Sequence, residues 1–456
     1  MTKPLWDHQK ETINFARDRE AALDFSDPGT GKTRAWITVA HERLEAGEID
    51  TCLMMAPRTL LDTAWGEDFD EYFPDTPYSV AYASNRAEAF NAKVPFFITN
   101  NDAIKWLMKQ PKSFFKRFGR LMLVIDESTD FKHITSTRTK MMTRFAEQKF
   151  VKYATCMTAT PKSKSVTEMW AQAYIVDNGE RLGKNFYGFR NQLCTPVQRG
   201  ASRHAVDWVD KERAEEIVYA LLADITIRHE FEKCMDIPPN HQRVVRFEPS
   251  QKLLKAYFEM EATARIMIQK GEVRAVNAAV MIGKLLQIAS GAVYSSDDPN
   301  DYVVLDDTRY HLIADLVERR KHSIVFYSWN HQRDELVHIL KKRGIEHAVM
   351  DSSVSDKRRK ALRQEYQAGN FQTLLLHPNT GAHGLTLTRG TADIWASPVY
   401  RADFLKQGKH RIYRGGQTKR TYSERVVARG THDEAVLAKS SDRLSSMQLL
   451  LDMFKE

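Results

Sequence analysis

Short apolar runs recur at intervals in two parts of the 456-residue chain, and the connections between them are long enough to form helices. In the first part the runs lie at 21–25, 51–56, 78–83, 96–100, 121–125 and 153–157, and in the second at 323–329, 346–350, 373–377, 392–397 and 425–428. Continuous runs of this length are typical of strands in a parallel sheet that is covered on both faces. The sequence therefore predicts an α/β fold with two parallel-sheet domains.

The segment between the two parts, 177–305, has a charged and mostly helical pattern. The stretch Asp-Ile-Pro-Pro-Asn at 236–240 contains two prolines, which stop helices and remove backbone donors. We therefore predict a first domain at 1–235 with a helical insertion at about 177–220. The second domain is predicted at 236–456, with a helical insertion at about 250–295.

Composition sets wide limits on the class of protein. Apolar residues make up 42% of the chain, and no apolar run approaches the roughly 20 residues of a membrane span. The N-terminal segment is polar and unlike a secretory signal. Four scattered cysteines lack the spacing of a zinc site and are expected to be buried fillers in a reducing compartment. The net charge of +8 permits a polyanionic partner without requiring one.

A glycine-rich stretch, Ser-Asp-Pro-Gly-Thr-Gly-Lys-Thr at 26–33, follows the first apolar run and precedes a helical segment. Backbone N–H groups in such a turn, together with the helix N-terminus, fit a phosphate chain. Lys32 is expected to reach the outer phosphates, and the Thr33 hydroxyl to bind Mg²⁺. The strict phosphate-loop pattern has Gly where this chain has Ser26. The expected nucleotide-binding residues of this loop are Ser26, Asp27, Pro28, Gly29, Thr30, Gly31, Lys32 and Thr33.

Two later strand ends carry groups that a phosphate loop requires. Asp126 and Glu127 follow the run at 121–125; Asp126 is expected to hold Mg²⁺, and Glu127 to polarise the attacking water. Thr158 and Thr160, in Thr-Ala-Thr-Pro after the run at 153–157, can sense whether a γ-phosphate is present. The sequence therefore predicts a nucleoside triphosphatase.

Near the end of the chain, Gln-Gly-Lys-His-Arg-Ile-Tyr-Arg-Gly-Gly-Gln at 407–417 lies in a strongly basic region. Gln407, Arg411 and Arg414 recur at i, i+4 and i+7, which places them on one face of a helix that the following glycine pair ends. Lys406 and Lys409 point elsewhere and are candidates for contacts with DNA phosphates.

Taken in order, these motifs and two further stretches, 56–65 and 381–388, resemble those of superfamily-two helicase-type motors. More narrowly, the chain is similar to the Snf-type (sucrose-nonfermenting) ATPases, the double-stranded DNA translocases of chromatin remodelling and repair. The resemblance implies two RecA-like lobes with ATP between them, Mg²⁺ as cofactor, and duplex DNA bound mainly through its phosphate backbone.

The resemblance also implies roles for particular residues. Gln9 recognises adenine, Gln407 contacts the nucleotide, and Arg411 and Arg414 complete the ATP site. Residues that couple DNA to ATP are Thr158, Thr160, Gly384 and Thr386. Residues that face the DNA backbone are Pro57, Arg58, Thr59, Asn100 and Asn101.

The chain departs from the family pattern at Ser128 and Thr129, where Ala-His or Ala-Asp is commoner, and at His410, where an acidic residue is usual. Two alternatives stay open at this point: a strand-separating or branch-migrating helicase at forks, and a nucleotide-gated DNA-binding scaffold subunit. We expect a soluble intracellular protein, in the cytoplasm of a bacterial or viral host cell rather than in a nucleus.

Overall fold

The structure is a computed structural model that describes residues 4–162, 164–198, 206–269, 275–295, 301–381 and 385–439. Contacts between residues divide the chain into two compact units, Met1–Asp236 and Ile237–Glu456. Each unit contains its own parallel sheet. The predicted α/β class with two parallel-sheet domains is confirmed.

Nine strands lie in the described part of the first unit, and the first six of them overlap the predicted apolar runs. Their bounds are β1 Ala21–Asp24, β2 Thr51–Ala56, β3 Tyr78–Ala81, β4 Phe96–Asn100, β5 Leu121–Asp126, β6 Val151–Met157, β7 Cys194–Gln198, β8 Val206–Asp210 and β9 Thr226–Ile227. Seven of them form a parallel sheet in the order β3-β4-β2-β5-β6-β1-β9, and β7 and β8 form a separate antiparallel hairpin.

Helices cover both faces of this sheet. Their bounds are α1 Asp7–Arg17, α2 Lys32–Glu45, α3 Glu67–Tyr72, α4 Arg86–Ala89, α5 Ile104–Leu107, α6 Thr137–Ala146, α7 Thr167–Asp177, α8 Phe186–Leu193, α9 Ala214–Leu222 and α10 Phe231–Cys234. Alternate residues of β5 enter two separate cores: Leu123 and Ile125 pack into one, and Met122 and Val124 into the other. This two-sided burial explains why the strand is apolar at every position.

The second unit repeats the arrangement with fewer strands. The strands are β10 Asn240–Phe247, β11 Ala292–Tyr294, β12 Tyr302–Val304, β13 Ser323–Phe326, β14 His347–Met350, β15 Thr373–Leu376, β16 Ala392–Trp395 and β17 Thr421–Ala428. The helices are α11 Gln251–Gln269, α12 Ala275–Ala289, α13 Thr308–Arg320, α14 Asn330–Lys342, α15 Asp356–Ala368, α16 Pro378–Gly381, α17 Ala402–Ile412 and α18 His432–Lys439. Six strands form a parallel sheet in the order β10-β17-β16-β13-β15-β14, and β11 pairs with β12 in an antiparallel hairpin.

Strand β10 was not predicted, because its residues mix charged and apolar side chains without a continuous apolar run. It lies at the edge of the second sheet and pairs in parallel with β17 along eight residues. Val245 and Phe247 pack against the core, whereas Arg243 and Val244 are exposed. An edge strand needs only one apolar face, which weakens its signal in the sequence.

The predicted helical insertion at about 177–220 contains α8 and most of α9, and it also contains the β7–β8 hairpin, which was not predicted. Residues 206–210 read Val-Asp-Trp-Val-Asp, and valine and tryptophan are enriched in strands. Trp208 is partly buried against the core, and the Arg190 guanidinium lies 3.7 Å from its ring centroid. Tertiary packing of this tryptophan therefore decides the local structure.

Two predictions from composition can be compared with the described residues. Cys52, Cys156 and Cys194 are buried and Cys234 is partly buried, and none forms a disulfide. In the part of the chain that the structure describes, no helix is both long and apolar enough to cross a bilayer.

Candidate nucleotide-binding site

The glycine-rich loop connects the end of β1 to the start of α2, as the motif predicts. Gly29 and Gly31 have φ angles of 84° and 72°, in the region that favours glycine. A Cβ atom added to Gly31 would lie 2.4 Å from Nε2 of Gln9, so the turn also lacks room for a side chain. Both constraints keep the backbone of this loop compact and its N–H groups available to a phosphate.

A buried carboxylate fixes both ends of the loop. Asp24, the last residue of β1, accepts hydrogen bonds from the Ser26 backbone N–H at 2.9 Å and from Nε1 of Trp36 at 2.9 Å. Trp36 lies on α2, so the strand, the loop and the helix are joined through one side chain. Nothing in the local motif pointed to this role of Trp36, which sequence reasoning missed.

Lys32 directs its ammonium group into the loop. Its Nζ atom donates to the carbonyl oxygens of Ser26 and Asp27 at 2.7 and 3.1 Å. The next residue, Thr33, lies in the first turn of α2, where the helix dipole favours anions. The loop therefore presents an ammonium group, a hydroxyl group and a helix N-terminus in the arrangement that fits a triphosphate.

Ser26, which departs from the strict phosphate-loop pattern, uses its hydroxyl group within the unit. The Ser26 Oγ atom accepts a hydrogen bond from the backbone N–H of His229 at 3.0 Å, and the Asp27 N–H donates to the His229 carbonyl oxygen at 2.9 Å. The segment after β9 is thereby attached to the phosphate loop. Arg228 precedes this attachment point, 202 residues after Ser26 in the sequence.

Gln9 contacts the same loop from α1. Its Nε2 donates to the Gly31 carbonyl oxygen at 3.0 Å, and its Oε1 accepts from the Trp6 backbone N–H at 2.9 Å. His8 lies beside it, with Nε2 2.8 Å from the Thr30 carbonyl oxygen. In this conformation Gln9 stabilises the phosphate loop, and recognition of adenine by Gln9 stays a prediction.

Asp126 lies at the carboxyl end of β5. Its Oδ2 accepts a hydrogen bond from Nε1 of Trp65 at 3.1 Å, and its Oδ1 accepts from the Glu127 backbone N–H at 2.9 Å. Burial, followed by the charge of Glu127, raises the pKa of Asp126 to about 6, while the Lys32 ammonium group opposes this rise. The Lys32 ammonium group is therefore near enough for its charge to act on this carboxylate.

Glu127 has a left-handed backbone conformation, with φ 51° and ψ 52°. A non-glycine residue pays roughly 1–2 kcal/mol for this conformation, which persists only where neighbouring contacts hold it. This strained residue lies directly after Asp126, at the point where the chain leaves β5.

The donor set fits a magnesium ion held together with phosphate oxygens. Mg²⁺ in such sites uses one or two protein oxygens and takes its other ligands from phosphates and water. Thr33 and Asp126 supply an alcohol and a carboxylate oxygen of this kind. Within the described ranges there is no cluster of three or more His, Cys, Asp or Glu side chains, so an all-protein metal cage is absent there.

The Thr-Ala-Thr-Pro turn begins next to β1. The Thr158 backbone N–H donates to the Asp24 carbonyl oxygen at 3.0 Å, and the Thr158 hydroxyl accepts from the Thr160 N–H at 3.2 Å. Thr158 is buried, whereas Thr160 is partly exposed. The turn is therefore attached to the residue that also fixes the phosphate loop.

The second unit brings its two predicted arginines together. Nη1 of Arg411 and Nη1 of Arg414 both donate to the Leu385 carbonyl oxygen, at 3.2 and 3.4 Å, and Nε of Arg411 donates to the Gln407 carbonyl oxygen at 3.0 Å. Helix α17 ends at Ile412, so the prediction that Arg414 lies on the helix is wrong. The chain leaves the helix before Arg414, and the shared carbonyl group, rather than helical spacing, places the two guanidinium groups together.

Gln407 and His410 are both buried on α17. Among the described residues, no hydrogen-bond donor reaches Oε1 of Gln407. His410 lies with Nδ1 3.0 Å from the Tyr413 carbonyl oxygen, so the unusual residue of the motif supports the end of the helix. Thr386 is partly exposed beside this region, and Gly384 lies outside the described residues.

Close packing beneath α17 depends on Gly408. A Cβ atom at this position would lie 2.6 Å from Cζ2 of Trp395 and 3.0 Å from Cε2 of Phe326. These two rings are stacked with their centroids 4.3 Å apart. The glycine therefore lets the helix that carries Arg411 lie directly on the sheet.

The residues predicted to face DNA follow the neighbouring strands β2 and β4. Arg58 is exposed, with its guanidinium 4.9 Å from the Tyr82 ring centroid, and Pro57 and Thr59 are partly exposed. Asn101, in contrast, is 2% exposed, and its Nδ2 donates to Oδ2 of Asp130 at 2.9 Å.

Asn100 is also buried, and its Oδ1 accepts from Nη2 of Arg86 at 2.7 Å. Arg58, Asn100 and Asn101 are therefore brought to one edge of the sheet, but only Arg58 presents its side chain to solvent.

The second unit contains a cavity of about 390 Å³ outside the carboxyl ends of β13, β15 and β16. This is the point at which the strand order reverses, where α/β sheets commonly bind ligands. Its walls include Trp329, His377, Tyr400, Phe404 and Asp433. These residues share no motif, and sequence reasoning missed the cavity.

Comparison with known families adds to this geometry. Residues 8–290 match the SNF2-related domain, a range that begins before Gln9 and includes the phosphate loop, Asp126 and Thr158. The chain belongs to the SNF2-related family. Residues 308–416 match the helicase conserved C-terminal domain, which includes Arg411 and Arg414. The predicted family and the predicted class of enzyme, a helicase-like ATPase, are confirmed.

Curated relatives of this SNF2-related chain differ in length. Protein p41 of Acyrthosiphon pisum secondary endosymbiont phage 1 is 24% identical, and the alignment covers 98% of each chain. The SWI/SNF-related matrix-associated actin-dependent regulator of chromatin subfamily A-like protein 1 of Xenopus tropicalis is 24% identical across 94% of this chain and 43% of its own. An uncharacterized ATP-dependent helicase of Mycoplasma genitalium is 22% identical across 94% of this chain and 40% of its own.

The SNF2-related chain thus spans nearly all of the phage protein but less than half of the frog and mycoplasma proteins. Among solved structures, it is similar to the Sulfolobus solfataricus SWI2/SNF2 ATPase core in complex with dsDNA. That similarity has a TM-score of 0.46, an identity of 18%, and covers 98% of this chain and 97% of the other.

Proposed function

We propose that the protein is an ATP-dependent motor that moves along double-stranded DNA and whose ATP hydrolysis is stimulated by that DNA. The observation that carries the proposal is the assembly of Lys32, Asp126 and Glu127 at one edge of a RecA-like sheet, in a chain of the SNF2-related family. ATP supplies the phosphoanhydride bond that is hydrolysed, and Mg²⁺ neutralises charge on its phosphates.

The residues of the first unit have different roles in hydrolysis. The Lys32 ammonium group binds the outer phosphates, and Thr33 and Asp126 hold Mg²⁺. Glu127 polarises the attacking water, and it lies in the left-handed position directly after the residue that holds the metal. Thr158 and Thr160 respond to the presence of the γ-phosphate through the turn attached to Asp24.

The residues of the second unit complete the reaction. We assign Arg411 and Arg414 to stabilisation of the charge that develops on the γ-phosphate, a contribution of about 10³ to 10⁵ in rate where such arginines have been removed. Gln407 lies one helical turn before Arg411 on α17, and its buried Oε1 is available to a donor of the nucleotide. These groups and the phosphate loop belong to different units of the chain.

Binding to DNA is proposed to depend on backbone phosphates. The chain carries a net charge of +8, and nine Lys and Arg residues lie between 401 and 429 against two acids. Arg58 and Thr59 on the first unit, with Lys406 and Lys409 on the second, are the proposed phosphate contacts. The phage relative favours action in the cytoplasm of a bacterial cell rather than in a nucleus.

Steady-state ATP hydrolysis, measured without nucleic acid and with single strands, duplex, forked duplex and RNA, tests the proposal. Duplex DNA is expected to raise the turnover rate most, and a Lys32→Ala variant controls for contaminating ATPases. If duplex leaves the rate of the unaltered protein unchanged, the proposed function is wrong.

Displacement of a third strand from a triplex then measures translocation along the duplex, whereas opening of a forked duplex would favour the strand-separating alternative. Tight ATP-dependent binding to DNA with negligible turnover would favour the scaffold alternative.

A further inference from the structure

Ser128, the first departure of the Asp-Glu-Ser-Thr box from the family pattern, is fully buried. Its hydroxyl group donates a hydrogen bond of 2.7 Å to Oε1 of Gln172. Gln172 lies on α7, 44 residues later in the chain, in the apolar stretch Met-Trp-Ala-Gln-Ala-Tyr-Ile-Val. A lone glutamine on such a helix is conspicuous, because an uncompensated buried amide costs roughly 1–3 kcal/mol.

Gln172 uses its amide nitrogen to contact the second motif. Nε2 donates to the Pro161 carbonyl oxygen at 2.7 Å and to the Glu168 carbonyl oxygen at 3.0 Å. Pro161 is the last residue of the Thr-Ala-Thr-Pro turn. One fully buried side chain therefore joins the box that carries Asp126 and Glu127 to the turn that carries Thr158 and Thr160.

The two connected segments both begin at the nucleotide site. Ser128 directly follows Glu127, whose strained backbone depends on contacts made by its neighbours. The turn starts at Thr158, which is bonded to Asp24 at the base of the phosphate loop. Gln172 thus connects the Asp-Glu-Ser-Thr box to the Thr-Ala-Thr-Pro turn, so that displacement of either segment displaces the other.

The segment after the turn is attached at its far end as well. Ser165 Oγ donates to Oδ1 of Asp210 at 2.5 Å, and the Val166 N–H donates to Oδ2 of the same carboxylate at 2.9 Å. Asp210 ends β8, and so the segment is held between Gln172 on one side and the base of the β7–β8 hairpin on the other.

We propose that Gln172 is a positioning residue that makes the Asp-Glu-Ser-Thr box and the Thr-Ala-Thr-Pro turn move as one body, so that binding of DNA raises the rate of ATP hydrolysis. This inference rests on the proposed function, in which duplex DNA stimulates the enzyme. Gln172 touches no reacting atom and acts through Ser128 and Pro161.

Substitutions at the two ends of the first hydrogen bond test the proposal in the full-length chain. Gln172→Leu removes both connections at nearly constant volume, and Ser128→Ala removes only the hydroxyl, with less risk to folding. Thr51→Val is a matched control, because Thr51 also buries a hydroxyl that donates to a carbonyl oxygen, that of Phe118 at 2.6 Å, at the amino end of β2 and away from the strand ends.

The quantity measured is the ratio of turnover with saturating duplex to turnover without DNA. Gln172→Leu and Ser128→Ala are each expected to lower this ratio by about tenfold, within the range of typical coupling between sites, and to change the KM for ATP by less than about twofold. The double variant is expected to be no worse than Gln172→Leu alone, since both substitutions break the same connection. Thr51→Val should lower the melting temperature and keep the ratio.

Each other result has a definite meaning. If Gln172→Leu and Ser128→Ala melt earlier but keep the ratio of the unaltered protein, Gln172 is only structural and the inference is wrong. Additive losses in the double variant would also overturn it. If duplex does not raise the turnover of the unaltered protein, the proposed function is wrong and the inference is wrong with it. If duplex does raise that turnover, an unchanged ratio in the variants contradicts only the role assigned to Gln172.

Discussion

Each unit buries one aspartate whose pKa is raised to about 6, and in each case burial is the main cause. Asp126 in the first unit accepts a hydrogen bond from Nε1 of Trp65 at 3.1 Å. Asp393 in the second accepts one from Nε1 of Trp395 at 2.9 Å and another from the Ser423 hydroxyl at 2.6 Å. Two similar carboxylates are thus held in similar ways in two parallel sheets.

Their positions along the strand differ. Asp126 is the last residue of β5 and is influenced by Lys32 and Glu127, two groups of the phosphate loop and its partner box. Asp393 is the second residue of β16, where neighbouring strands enclose it. A raised pKa is common to functional and structural carboxylates. The comparison teaches that position along the strand separates the two: only Asp126, at the carboxyl edge and near Lys32, lies where the proposed function needs a carboxylate.

The largest predicted effect separates these two aspartates directly. Asp126→Asn should lower ATP hydrolysis by about 10³ or more, because metal coordination is worth several kcal/mol and each 1.36 kcal/mol is a factor of ten. Asp393→Asn should keep hydrolysis within about threefold, since distant sites act independently. Steady-state turnover at saturating Mg²⁺ and duplex measures both. Equal losses in the two variants would contradict the comparison.

A second prediction separates arginines from lysines on and beside α17. Arg411→Ala should lower hydrolysis by about 10³ while the protein still binds DNA, because the arginine stabilises charge only as the phosphate is transferred. Single-turnover hydrolysis and DNA binding by anisotropy measure the two quantities.

Lys406→Ala and Lys409→Ala are the matched controls for Arg411→Ala. Each should weaken DNA binding and reduce the slope of log affinity against log salt by roughly one, with little change in turnover at saturating DNA. Loss of DNA binding in Arg411→Ala would contradict the assignment of Arg411 to hydrolysis and of the two lysines to DNA binding.

The pKa of Asp393 predicts how the stability of the second unit depends on pH. Its rise from 3.8 to about 6 in the folded protein corresponds to about 3 kcal/mol. A folded-state pKa above the unfolded value means that the contribution to stability is complete below pH 4 and is lost as pH rises through 6. Amide protection factors in β13, β16 and β17 should therefore fall over this range, relative to those of Asp393→Asn.

Strands β2 and β5 of the first unit serve as the control. Asp393→Asn should leave the pH dependence of their amide protection factors unchanged. A parallel change in the strands of the first unit would mean that the titration of Asp393 is not local.

The smallest predicted effect concerns packing under α17. Gly408→Ala should destabilise the second unit by roughly 1–3 kcal/mol, because the added methyl group overlaps Trp395 and Phe326. Gly283→Ala on α12 is the matched control: among the described residues, no atom beyond its chain neighbours and its own helix backbone lies within 4 Å of the added Cβ, so the substitution should stabilise by up to about 1 kcal/mol. Urea denaturation compares the two, and destabilisation by both would contradict this explanation.

Much of the fold could be predicted because residues buried on both faces of a sheet must be apolar in succession, as in β2 and β5. The phosphate loop and Asp126 could be predicted because phosphate and metal chemistry demands particular residue types at strand ends. The roles of Trp36, Trp65 and Gln172 could not be predicted, since each acts through hydrogen bonds to another segment of the chain that no local pattern indicates. Arg414 was placed on a helix because spacing cannot show where a helix stops.

The exposed edge formed by β10 has a consequence for handling the protein. Eight residues of strand offer backbone groups to a second molecule, and Arg243 and Arg246 place positive charge on that edge when two copies approach. Mutual repulsion across the edge is screened within about 3 Å at 1 M salt. Concentrated salt that is used to dissociate bound polyanions would therefore also screen the repulsion that opposes edge-to-edge aggregation. The protein should be most soluble at moderate ionic strength.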